Sequence, residues 1–144
     1  MKRISIILLS AVLLLATSCG FIIIDQPLVD IPYWAGGSWK SNANPIADVY
    51  ISEDNIIIEY PTEPYADDFN LRDLLSFEGY YIESQGYLDD DSWQLNLRYL
   101  HNSSDFIRIT LKEMNQPDFK LMLEIYSSDY YSDYHETETL HLTR

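Results

Sequence analysis

The side chains that could act as nucleophiles, metal ligands or proton carriers are few and scattered. Cys19 is the single cysteine, so neither an intramolecular disulfide nor a multi-cysteine zinc site can form. No serine stands in a Gly-x-Ser-x-Gly elbow, the strained turn that presents a nucleophilic hydroxyl. His101, His135 and His141 have many acidic neighbours, but spacing alone assembles no triad. They read as surface or strand histidines. His135 and His141 are also too far apart for a helical zinc pair. Carboxylates gather at Asp67-Asp68 and at Asp89-Asp90-Asp91. Calcium prefers several oxygens from one loop, and both runs lack the alternating ligands and central glycine of such a loop. They read as charged turn tips. The 23 acidic residues offer many pairs for glycoside hydrolysis, and no feature selects one. The chemistry to expect is binding, with no catalytic residue, no metal and no cofactor.

Recognition has better material. The chain holds 12 tyrosines in 144 residues. Tyr80-Tyr81 and Tyr130-Tyr131 are adjacent pairs, and adjacent side chains of a strand point to opposite faces. Some of these rings, Tyr134 with them, are therefore expected on the surface. Tyrosine joins an apolar face to a hydrogen-bonding tip. Such rings could stack on sugars, or join Asp129 and Asp133 in gripping a basic protein. The plainer reading is that they fill strands, where tyrosine is favoured.

The net charge is −14. That argues against nucleic acid, whose phosphates need clustered Lys and Arg, and against docking by charge onto anionic lipid. Hydrophobic residues make up 47%, enough for one domain folded around a core. Arg98, Arg108, Lys112 and Lys120 lie on the polar faces of three successive predicted strands, where pairing with Glu124 and other acids accounts for them. The rest of the surface must then be strongly acidic, which speeds encounter with a cationic partner.

Met1-Lys2-Arg3 is a basic start, Ile4 to Ala16 is an apolar run broken only by Ser5 and Ser10, and Thr17-Ser18-Cys19-Gly20 follows. A basic region, a short apolar region and small residues describe an export signal. With the cysteine directly after them, the segment resembles the signal peptide of bacterial lipoproteins of the Bacteroidetes type. Ala16 holds the place where leucine is usual. The resemblance implies cleavage before Cys19, fatty acyl chains such as palmitate on Cys19, and, with Gly20 next, anchoring in the outer membrane. A transmembrane helix over Ile4 to Ile24 is the alternative, diluted by Ser10, Thr17, Ser18 and Gly20. Cleavage removes Lys2 and Arg3, taking the charge from −14 to −16.

Three parts follow from this: a signal peptide over 1–18, a lipidated tether over 19–37, and one β domain over 38–144. Phe21 to Ile24 is apolar enough to dock on the domain or on the membrane interface, Pro27 and Pro32 break the tether, and Gly36-Gly37 marks a turn. Asp48 to Ile51 and Ile56 to Tyr60 flank a polar four-residue turn, a hairpin pattern. Gly79 to Tyr87 is a further strand. Trp93, Leu95, Leu97 and Tyr99 share one face. So do Ile107, Ile109 and Leu111, and likewise Phe119, Leu121, Leu123 and Ile125. Period two means half-buried antiparallel strands. Glu136 to Thr143 closes the sheet. Asp67 or Asp68 could cap a short helix bearing Leu71, Leu74 and Leu75. The expected fold is all-β: a small antiparallel up-and-down barrel of about seven or eight strands with one short helix. A sandwich, or an open sheet with the helix across one face, is the other option.

Gly37-Ser38-Trp39 resembles the Gly-x-Trp signature of lipocalins, with Ser128-Asp129-Tyr130 or Ser132-Asp133-Tyr134 near their late-loop motif and Arg144 near their basic residue. The resemblance implies a barrel closed at one end by Trp39, with a mouth for a small apolar ligand. A small barrel can equally be filled by its own side chains. The functional expectation is a lipid-anchored, non-catalytic envelope protein binding a small apolar molecule or a glycan. The alternative is an inhibitor or immunity lipoprotein that neutralises a basic protein. The candidate contact residues are Trp39, Tyr80, Tyr81, Asp129, Tyr130, Tyr131, Asp133 and Tyr134.

Overall fold

Alternation of apolar and polar side chains decides the sheet. The computed structural model describes residues 28–43, 45–63, 67–129 and 134–144, with Asp129, Tyr134 and His135 described by their backbone. Nine strands form one antiparallel sheet: β1 Gly37–Ser41, β2 Ala47–Ile51, β3 Ile56–Glu59, β4 Phe69–Asn70, β5 Tyr80–Asp89, β6 Ser92–Tyr99, β7 Asn102–Glu113, β8 Leu121–Asp129 and β9 Tyr134–Thr143. A short helix, α1, the one α-helix among the described residues, covers Leu71–Ser76, and a 3-10 turn covers Tyr33–Ala35. In β6, Trp93, Leu95 and Leu97 are buried, and they face buried Leu111, Ile109 and Ile107 of β7. Leu123 of β8 continues that inner row to Leu140 of β9.

Strand order is β4-β3-β2-β1-β9-β8-β7-β6-β5. Chain neighbours pair throughout except β4 and β5, which form the two edges, and the first strand pairs with the last. That is up-and-down order, curled into a half-barrel and left open between β4 and β5. The strand total is nine because β4, only two residues long, forms beside β3.

Two devices cover the open seam. The first is α1, whose Leu71 and Leu74 are buried. Its N-cap is Asn70, which accepts from the Arg72 N–H at 3.1 Å, and not Asp67 or Asp68 as expected. Cap chemistry suits either residue type; β4 pairing holds Asn70 extended, so the helix starts one residue later. Arg72 N–H also donates to the buried Asn55 Oδ1, tying α1 to the β2–β3 turn. The second device is the segment before β1. Val29, Ile31 and Ala35 are buried in the core. Gln85 of β5 donates to Leu28 O at 2.8 Å and accepts from Asp30 N at 3.0 Å. Ile31 N donates to Glu53 O at 2.9 Å. This strap runs from the β5 edge to the β2–β3 turn, so residues read as tether belong to the folded unit.

One strand limit shifts. Phe119 precedes β8 and stacks edge-on against His141 at 4.4 Å. His141 pairs with Met122, one step out of phase with the buried Leu121 and Leu123. Phe119 therefore sits on the outer face and not in the inner row.

Candidate functional site

The half-barrel has two ends of different character. At one end Trp39 is 5% exposed. Its indole N–H donates to Ala35 O at 2.8 Å, fastening the 3-10 turn to β1. The Arg144 guanidinium lies 4.5 Å from the centre of the Trp39 ring and donates to Gly36 O at 3.1 Å. The cation thus covers an indole face, an attraction between positive charge and ring quadrupole. Gly37 has φ of +130° here, a backbone state that glycine adopts without strain. Beside Trp39 is a recess of about 570 Å³, walled by Trp34, Asp91, Glu113, Asn115, Lys120 and Arg144 among others.

At the other end, β3 finishes and β9 begins. A recess of about 580 Å³ there is lined by Tyr60, Glu63, Asp67, Glu136 and Glu138 together with Pro45 and two threonines. Tyr60 OH donates to Glu138 Oε2 at 2.7 Å. Burial raises the Tyr60 phenol above its ordinary range, and the hydrogen bond and charge of Glu138 raise it further. Among the described residues, no Lys or Arg pairs with these carboxylates. Phe77, 83% exposed, and Leu100, 55% exposed, stand at the same end. Both lie next to Gly79: Phe77 at the C-cap of α1, and Leu100 through its N–H to Gly79 O at 2.9 Å.

Lys40, Arg72, Arg98 and Arg108 are engaged elsewhere. Lys40 pairs with Asp48 at 3.5 Å, Arg72 with Asp54 at 2.7 Å and Arg98 with Glu83 at 2.8 Å. Hydrogen bonds from Ser52 and then Arg72 hold the Asp54 carboxyl below its usual range. Arg98 and Arg108 lie 5.0 and 5.8 Å from the Phe106 ring centre, and Arg108 donates to Asn96 Oδ1 at 3.2 Å. The expected pairing with acids on the sheet therefore holds for Arg98, through Glu83, while Arg108 rests on aromatic rings and an amide. No ion pair to Glu124 forms among the described residues.

The candidate contact residues divide between the two ends. Trp39 is at the first. Tyr80 and Tyr81, both half-buried, are at the second, where they pair in register with Tyr99 and Arg98. Tyr80 packs on the core with its ring 5.3 Å from that of Tyr99; Tyr81 is on the opposite face. Asp129 and Tyr134 stand opposite each other in the last β8–β9 pair, at this same end. Tyr130, Tyr131, Asp133 and Cys19 lie outside the described residues. Trp34, Glu63, Glu113, Asn115, Glu136 and Glu138 were not singled out from sequence. Each recess takes its walls from distant segments, and no local spacing reveals such walls. No described group of three or more His, Cys, Asp or Glu residues is arranged to hold a metal ion. No described helix is long and apolar enough to cross a membrane. Comparison with protein-family models, curated proteins and solved structures finds no match.

Proposed function

We propose that the protein is a lipid-anchored binding protein of the cell envelope, held in the outer membrane by acyl chains on Cys19, that engages a basic protein through the acidic end of its half-barrel. The observation that carries this reading is the recess of Glu63, Asp67, Glu136 and Glu138, with no Lys or Arg paired to them among the described residues, at the same end of the half-barrel as exposed Phe77 and Leu100. Interfaces combine apolar anchors with a polar rim, and this end offers both. The net charge of −14 adds long-range attraction for a cationic partner. The role would be that of an inhibitor or immunity lipoprotein, without catalysis. Trp39 covered by Arg144 supports the likeness to lipocalins. The interior gives a small apolar ligand little support, because Trp93, Leu95, Leu97, Ile109, Leu111 and Leu123 fill it.

The test is binding of a cationic probe protein, a lysozyme, to the mature lipidated chain in detergent. Raising ionic strength from roughly 0.01 to roughly 0.15 M shortens the Debye length from about 30 to about 8 Å. Affinity is expected to fall by about tenfold or more over that range, and the paired Glu63→Gln and Glu136→Gln changes are expected to weaken it at low salt. Both side chains are exposed, so the fold should survive. Binding indifferent to salt and to these changes would remove the reading.

A further inference from the structure

The recess beside Trp39 lies at the opposite end of the sheet from the acidic one, and its chemistry differs. We propose that it is a binding site for a neutral carbohydrate of one or two rings, with Trp34 as the stacking surface and Asp91, Glu113 and Asn115 as hydroxyl partners.

Size and preorganisation come first. A volume of about 570 Å³ falls within the range of small-molecule sites. The walls are fixed by backbone hydrogen bonds: Glu113 N–H donates to Asp91 O at 2.8 Å, Met114 N–H to Lys120 O at 2.8 Å, and Lys120 N–H to Leu142 O at 2.9 Å. Trp39 is locked from two sides, by Ala35 and by Arg144. Side chains held this way lose little freedom when a ligand arrives.

Charge balance selects the class. Asp91 and Glu113 offset Lys120 and Arg144, in a protein whose net charge is −14. A ligand of either sign gains little from a balanced site, whereas an uncharged polyol can use donors and acceptors together. Asp91, Glu113 and Asn115 make no side-chain hydrogen bond among the described residues. Sugars present apolar C–H faces as well as hydroxyls, and an aromatic ring suits the former. Trp34 is half-buried on the wall, and its Nε1–H is shielded with no acceptor among the described residues. Buried donors nearly always have partners, and this one, on a residue of the recess wall, has none among the described residues. The site is independent of the basic partner proposed above and of the anchor.

The experiment is ¹H–¹⁵N NMR of the mature chain in a detergent without a sugar headgroup. The Trp34 indole signal is assigned with Trp34→Phe. The probes are maltose, cellobiose and N,N′-diacetylchitobiose. The Trp34 signal should move saturably with at least one of them, with Kd of about 1 mM or tighter. Asn115→Ala and Glu113→Gln, both at exposed positions, should each weaken that binding by about tenfold. An indole signal unmoved by all three sugars at about 50 mM, a shift unchanged in both variants, or a stronger response to acetate or putrescine than to any sugar would overturn the proposal.

Discussion

Ile31→Ala tests whether the strap before β1 is a structural part of the half-barrel. Ile31 is 4% exposed and belongs to the core, and its N–H donates to Glu53 O. Truncation deletes buried carbons while leaving that backbone bond possible. Buried Ile→Ala changes cost about 2–5 kcal/mol. The seam is open on one side and can relax, so the lower part applies, about 2–3 kcal/mol. For a domain of this size that lowers Tm by roughly 10 °C. Gln85→Ala removes the two bonds that hold Leu28 and Asp30; at roughly 0.5–1.5 kcal/mol each, less for their exposure, the loss is about 1–2 kcal/mol. Leu28→Ala is the control, because Leu28 is 86% exposed and surface changes stay within about 0.5 kcal/mol. The double change Ile31→Ala with Gln85→Ala should fall short of the sum, since both release the same segment. Urea unfolding followed by tryptophan fluorescence measures each, with the m-value unchanged if the native state keeps its compactness. If Ile31→Ala is as silent as Leu28→Ala, the strap does not seal the seam.

Arg144→Ala should cost about 1 kcal/mol, from loss of the stacking on Trp39 and the bond to Gly36 O; the same urea titration reads it, and no change would deny the contact a structural role. Tyr60 should keep its proton at a pH where a free phenol loses it. Because its folded pKa is raised, the unfolded chain loses that proton first, near pH 10, so this contribution is present below pH 10 and declines as pH rises beyond it. Tyr60→Phe should therefore flatten the alkaline loss of stability, and ultraviolet titration should show one phenol fewer ionising late. Cys19→Ala should move the protein from the membrane fraction to the soluble one; unchanged retention would favour the uncleaved helix.

The strands were readable because each buries one face. Trp93, Leu95 and Leu97 alternate with polar partners, and only one register hides them. The hairpin of β2 and β3 was equally clear from its polar turn. The features that local pattern does not carry depend on contacts distant in sequence. Val29 and Ile31 already alternate, but Pro32 suggested a broken tether, and only Gln85 and Glu53 show what the segment touches. Phe119 fits the apolar alternation of β8, yet the strand starts at Leu121 and the ring finds His141 on the outer face. Arg144 lies 105 positions from Trp39 in the chain, and only the pairing of β9 with β1 brings it over that ring. The acidic recess joins residues between β3 and β4 to residues of β9, a distance along the chain that charge counting cannot bridge.

The central claim is that the acidic end holds a basic protein. Native mass spectrometry of the protein gently extracted from its own envelope tests it most directly. The prediction is a bound basic polypeptide that dissociates when salt is raised and is missing from the Glu63→Gln, Glu136→Gln form. A bare monomer from the unaltered protein, or the same cargo on both forms, would contradict it.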